Sequence, residues 1–134
     1  MTLRYTFLIL LLLAFVASCE VINPDEKVPA YIHIDKISVD ANLGQGTDSS
    51  NISDAWIYIN SELIGAFQLP ATIPILKAGN QDIEIRSGVI INGIASTRTI
   101  NPFYSYQTKN IKLIPDSIIS FNVKTDYHPS VKFV

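Results

Sequence analysis

Cysteine occurs once in the 134 residues, histidine twice, and methionine and tryptophan once each. A single cysteine excludes an internal disulfide framework, and two histidines leave little from which to build a zinc site. No excess of one charge is present: ten Lys and Arg stand against twelve Asp and Glu, a formal net charge of −2. That balance offers no basic surface for nucleic acid. The longest apolar run, residues 7–17, falls short of the about 20 positions a membrane-spanning helix needs. No stretch repeats apolar residues at the i, i+3, i+4, i+7 spacing of an amphipathic helix. The length suits one domain rather than an enzyme with a separate cofactor domain.

The apolar residues are concentrated at the start. Fourteen of residues 1–18 are apolar, and Arg4 is their only charge. A charged beginning, a short apolar stretch and small residues before a cut form a secretory signal. The segment ends Val16-Ala17-Ser18-Cys19, which resembles the lipobox of bacterial lipoproteins, so residues 1–18 are expected to be a helical signal peptide. Cys19 is then the lipidated first residue of the mature chain, and the membrane its partner through that lipid. Several acyl chains, at about 0.8 kcal/mol per buried CH₂, hold a protein on a bilayer stably. The alternative is a free cysteine behind an ordinary signal. Without residues 1–18 the apolar fraction falls from 48% to about 43%, ordinary for a globular domain. The mean hydropathy of +0.26 therefore owes its height to the signal.

Residues 19–29 form the tether, where Pro24, Pro29 and four charges favour an extended chain. The acidic Glu20, Asp25 and Glu26 resemble surface-export signals of lipoproteins from Bacteroidota; a solvated acidic linker is the competing reading. The expected location is the outer membrane, with its periplasmic and cell-surface faces both open.

Residues 30–134 read as an all-β module, an antiparallel sandwich of seven or eight short strands. Twenty isoleucines follow Cys19, and this β-branched type favours strands. Residues 31–39 form a first strand whose apolar phase switches near Asp35, predicting a bulge. Residues 55–59 are apolar on both faces and predict a central strand, with Trp56 as a core residue. Pro70 and Pro74 exclude an inner strand between them, since proline donates no ladder hydrogen bond. Residues 82–86 alternate, with Ile83 and Ile85 inward. Further strands are expected over residues 107–113 and 118–124. Residues 131–134 suggest either a last edge strand or the front module of a longer chain.

The run Trp56-Ile57-Tyr58-Ile59-Asn60-Ser61-Glu62-Leu63-Ile64-Gly65-Ala66-Phe67, then Pro70, Lys77-Ala78-Gly79-Asn80 and Ile83-Glu84-Ile85, resembles a PEGA-type module. The resemblance implies a small prealbumin-like β-sandwich on a bacterial envelope lipoprotein. It implies no catalytic residue and no cofactor. Two departures stand out: Ser61 replaces the usual turn glycine, and Leu69-Pro70-Ala71-Thr72 replaces the Pro-Glu-Gly-Ala core.

Candidate sites are few. His33 and His128 lack a supporting nucleophile motif, no Gly-x-Ser-x-Gly elbow occurs, and both read as ordinary strand or loop residues. The loop from Asp40 to Gly44, with Asp48 and Asp54 beyond, lacks the alternating acids and final Glu of a calcium loop, so no metal is expected. Phe103, Tyr104 and Tyr106 fall in one loop with Asn101, Ser105 and Gln107. Exposed, they would form a platform for a glycan or another envelope protein; the alternative is that they plug the end of the sandwich. Asn51-Ile52-Ser53 matches an N-glycosylation acceptor, which means little in a bacterial lipoprotein. Asp116-Ser117-Ile118 resembles a short O-glycosylation motif, with Ser117 as acceptor. The expected function is a structural or interaction module of the envelope, with carbohydrate binding as the alternative.

Overall fold

The computed structural model describes residues 4–6 and 26–133. Cys19, most of the expected signal peptide and most of the tether lie outside the described residues; residues 4–6 are helical. Among the described residues, no helix is long and apolar enough to cross a membrane.

Among the described residues, eight strands form two sheets. Sheet A has the order β4-β1-β8, from β1 (Ala30–Val39), β4 (Ala71–Ile75) and β8 (Ile118–Thr125). Sheet B has the order β3-β2-β5-β6, from β2 (Asp54–Ile59), β3 (Glu62–Gln68), β5 (Gly79–Ile90) and β6 (Arg98–Ile100). The remaining strand, β7 (Gln107–Leu113), pairs with the first half of β5, while β6 pairs with its last residues. The fold is thus the all-β sandwich that the alternating pattern implies.

The alternation also places the core. Ile32, Ile34, Ile73, Ile75, Phe121 and Val123 point inward from sheet A. They meet Ala55, Ile57, Ile59, Ile83, Ile85 and Leu113 of sheet B. In β1 the register shifts between Ile34 and Ile37, leaving Asp35 and Lys36 exposed and returning Ile37 and Val39 to the core. This is the bulge near Asp35. Pro74 is accommodated because β4 is an edge strand, paired only with β1.

Three expectations are corrected. The sandwich is not wholly antiparallel, because β1 and β8 run parallel. The chain leaves sheet B at Leu113 and enters sheet A at Ile118, at the end where β1 also begins; no hairpin joins the two strands, so nothing forces them antiparallel. Trp56 is not in the inter-sheet core. It alternates with Ala55 and Ile57, which take the inner face, and so stands half-buried on the outer face of sheet B. Residues 131–133 form no strand; Phe133 instead packs edge-on against Tyr127.

The β2–β3 hairpin closes through Asn60 and Ser61, both with positive φ (52° and 67°), the signature of a type I′ turn. Asn60 secures it: its amide nitrogen donates to Gln81 Oε1 at 2.7 Å and its carbonyl oxygen accepts the Asp82 N–H at 3.0 Å.

Candidate functional site

The outer face of sheet B gathers the chain's most distinctive side chains. Register places Trp56 opposite Arg86 and Tyr58 opposite Glu84, while Tyr106 precedes Gln107, which pairs with Ile85. The Arg86 guanidinium consequently lies between two rings, 4.8 Å from the centroid of Tyr58 and 4.8 Å from that of Tyr106. Its Nε donates to Glu84 Oε1 at 2.5 Å. The arrangement presents cation–π contacts worth about 0.5–1 kcal/mol each at exposed sites. It also leaves Tyr106 more than half exposed, with hydrogen-bonding groups beside its ring.

Along the same face, beyond Trp56, lies a buried polar cluster. Asp54 is fully buried, its Oδ1 lies 3.0 Å from Arg98 Nε, and its Oδ2 accepts from Ser53 Oγ at 3.0 Å. Arg98 also reaches Gln68 Oε1 through a terminal nitrogen, at 3.3 Å. Gly88, opposite Asp54 in the register, is buried beneath the Trp56 indole. Trp56 Nε1 is itself buried and finds no hydrogen-bond partner among the described residues.

The three aromatics expected to act together separate. Tyr104 forms an isolated bridge with Tyr127, and their ring centroids are 5.2 Å apart. Burial, and then a hydrogen bond with Tyr127, push the Tyr104 phenol above its ordinary 10.0. Phe103 stays exposed, with its carbonyl accepting the His128 N–H. Tyr106 alone reaches the sheet face. Tyr58 and Arg86, its partners there, are invisible to a reading of the loop; the signal that finds them is the outward phase of β2 and β5.

The other candidates have local partners. His33 Nδ1 lies 2.9 Å from Thr72 Oγ1, and His128 Nδ1 lies 2.7 Å from Ser130 Oγ. In the acidic loop, Asp48 Oδ1 accepts the Ala41 N–H at 2.8 Å, and Asp54 belongs to the buried cluster with Arg98. Among the described residues, no group of three or more His, Cys, Asp or Glu is placed to hold a metal ion. Ser117 Oγ donates to the Ile114 carbonyl at 2.6 Å within its turn.

No protein-family model matches this chain, and neither a curated protein nor a solved structure matches it.

Proposed function

We propose that the protein is a lipid-anchored, non-catalytic lipoprotein of the cell envelope whose β-sandwich serves as a structural or interaction module. The observation that carries this reading is the position of Cys19. It directly follows a short apolar stretch and small residues, and a ten-residue tether separates it from β1. The PEGA-like run of residues 54–86 and the acidic tether support placement at the outer membrane of a Bacteroidota-type envelope. Metabolic labelling with an alkyne fatty acid, followed by intact mass of the mature protein, tests the anchor. Label on Cys19, lost in Cys19→Ala, is expected; a mature protein with unmodified Cys19 would overturn the reading.

A second reading, carbohydrate binding, is favoured by one observation: the Tyr58–Arg86–Tyr106 stack on an open sheet face. Sugars stack their C–H faces on aromatic rings, and the guanidinium and the Glu84 carboxylate beside Tyr106 suit their hydroxyls. A glycan array tests it. Binding that survives Tyr106→Ala and Arg86→Ala together would exclude this site.

A further inference from the structure

Exposed aliphatic residues gather at the end of the sandwich where the tether enters. The chain enters β1 at Ala30, whose register partner is Ile75, the last residue of β4. Tyr31 pairs with Ile118, the first residue of β8, and Leu113 ends β7 opposite Gly79. The Asp116 N–H donates to the Pro29 carbonyl and the Tyr31 N–H to the Ser117 carbonyl, closing the loop of residues 114–117 against the tether. Leu76, Ile114 and Ile118 therefore surround the point where Val28 arrives. All four are between 53% and 67% exposed.

An exposed aliphatic by itself means little, since apolar atoms supply more than half of any protein surface. Here the exposure is graded. Outward residues of β8, read away from the tether, run Ile118, Ser120, Asn122, Lys124. On β1 they run Tyr31, then His33, with Asp35 exposed in the bulge; on β4, Pro74 and then Thr72. Apolar character sits at the tether end and gives way to polar and then charged residues within one strand length. Exposed apolar residues gathered at one end in this way mark an interaction site.

We infer that this end of the sandwich seats against the lipid surface that holds Cys19. The inference rests on the lipid-anchored reading, and it adds a fixed orientation to what would otherwise be a domain swinging on a string. The length and direction of the tether select the occupant. Residues 20–29 are few and the chain joins β1 at the apolar end, so this is the end that the acyl chains tether to the bilayer. Immersing aliphatic side chains there gains the usual apolar transfer energy without the loss of freedom that a free protein would incur. Both charge signs are present at this end, with Lys112 and Asp116 exposed, so the attraction is apolar rather than directed at anionic headgroups. The Tyr58–Arg86–Tyr106 face lies on the side of the sandwich and stays accessible in this orientation.

The test uses the acylated full chain in phosphatidylcholine vesicles, with Ile118→Cys, Leu76→Cys or, at the opposite end, Phe103→Cys carrying an environment-sensitive fluorophore. Because Cys19 is acylated, each variant has one free thiol. At 118 and 76 the probe is expected to shift to the blue, to lose iodide quenching several-fold, and to be quenched by spin-labelled lipids; at 103 it is expected to do none of these. Probes at 118 and 76 as open to iodide as the one at 103, with Cys19 acylated by mass, would overturn this inference and leave the anchor standing. Shielding from iodide without quenching by lipid spin labels would assign the surface to a second copy or another protein, and would also overturn it. An unmodified Cys19 would defeat the anchor and this inference together.

Discussion

The indole of Trp56 occupies the space that a side chain at Gly88 would need. A Cβ built on Gly88 would lie 2.8 Å from Asp54 Cβ and 3.1 Å from Trp56 Cδ1 and Nε1. Directly opposed Cβ atoms on neighbouring strands ordinarily sit about 4.5–5.5 Å apart. Gly88→Ala is therefore expected to destabilise the fold by about 1–3 kcal/mol, the range for overpacking a fitted site. Urea denaturation followed by Trp56 fluorescence measures it. An unchanged midpoint would mean that the indole moves aside freely and does not pin the outer face.

The ion pair between Asp54 and Arg98 is lopsided: the carboxylate is fully buried, whereas about a quarter of the arginine side chain reaches solvent. Removing the two charges should thus differ in cost. Arg98→Met strands a buried carboxylate and is expected to cost about 3–5 kcal/mol. Asp54→Asn leaves an arginine that can hydrate and is expected to cost about 1–2 kcal/mol. Equal losses in chemical denaturation would contradict the asymmetry.

How much of this was legible in the sequence follows from what alternation reports. Ile83 and Ile85 against Asp82, Glu84 and Arg86 declare a strand and its inner face, and the phase switch around Asp35 declares a bulge; both are local. Alternation does not report which strand lies next door, so the parallel pairing of β1 with β8 was hidden. It also cannot distinguish an inner apolar face from a covered outer one, which is why Trp56 read as core. The aromatic loop meets the same limit. Tyr104 and Tyr106 are neighbours in sequence, yet one bridges Tyr127 while the other meets Arg86 across a register set by β5 and β7. Proximity in the chain was a poor guide there because residues 101–106 precede β7 and, apart from the isolated bridge at Tyr104, follow no strand alternation.

Ser61 adopts a φ of 67°, in the left-handed region that glycine enters without penalty. The left-handed conformation costs an ordinary residue roughly 1–2 kcal/mol, partly offset by the greater freedom of glycine in the unfolded chain. Ser61→Gly is expected to stabilise the protein by about 0.5–1 kcal/mol on that balance. Thermal unfolding of the two proteins side by side checks the sign, and a lower melting temperature for the glycine variant would refute it.

Glu62 starts β3 beside that turn, and the Lys77 ammonium 2.5 Å away, by hydrogen bond and charge, holds its carboxyl below the ordinary 4.5. A depressed folded-state value stabilises the fold above the unfolded value and loses that contribution as pH falls through the folded one. The pair is exposed, so the effect on stability is small and screened by salt. NMR titration of Glu62 is expected to show a midpoint below 4.5 that rises in Lys77→Met and in concentrated salt. A midpoint indifferent to both changes would show that the lysine is not its cause.

Binding at the outer face of sheet B should depend on Tyr106 and Arg86 but not on Tyr104, although Tyr104 is the nearer neighbour of Tyr106 in the chain. Tyr106→Ala removes the most exposed ring of the stack, and Arg86→Ala removes both the group between the rings and the partner of Glu84. Each is expected to weaken glycan binding about tenfold or more, the equivalent of about 1.4 kcal/mol. Tyr104→Phe keeps the packing on Tyr127 and should leave affinity unchanged. Its expected effect is instead on the tyrosine titration, where the component held above 10.0 by burial should disappear. Isothermal calorimetry with any glycan found on an array, run beside an ultraviolet titration of the same three variants, separates the two aromatic groups. Loss of binding in Tyr104→Phe alone would move the site to the end of the sandwich, where Tyr104, Tyr127 and Phe133 pack together.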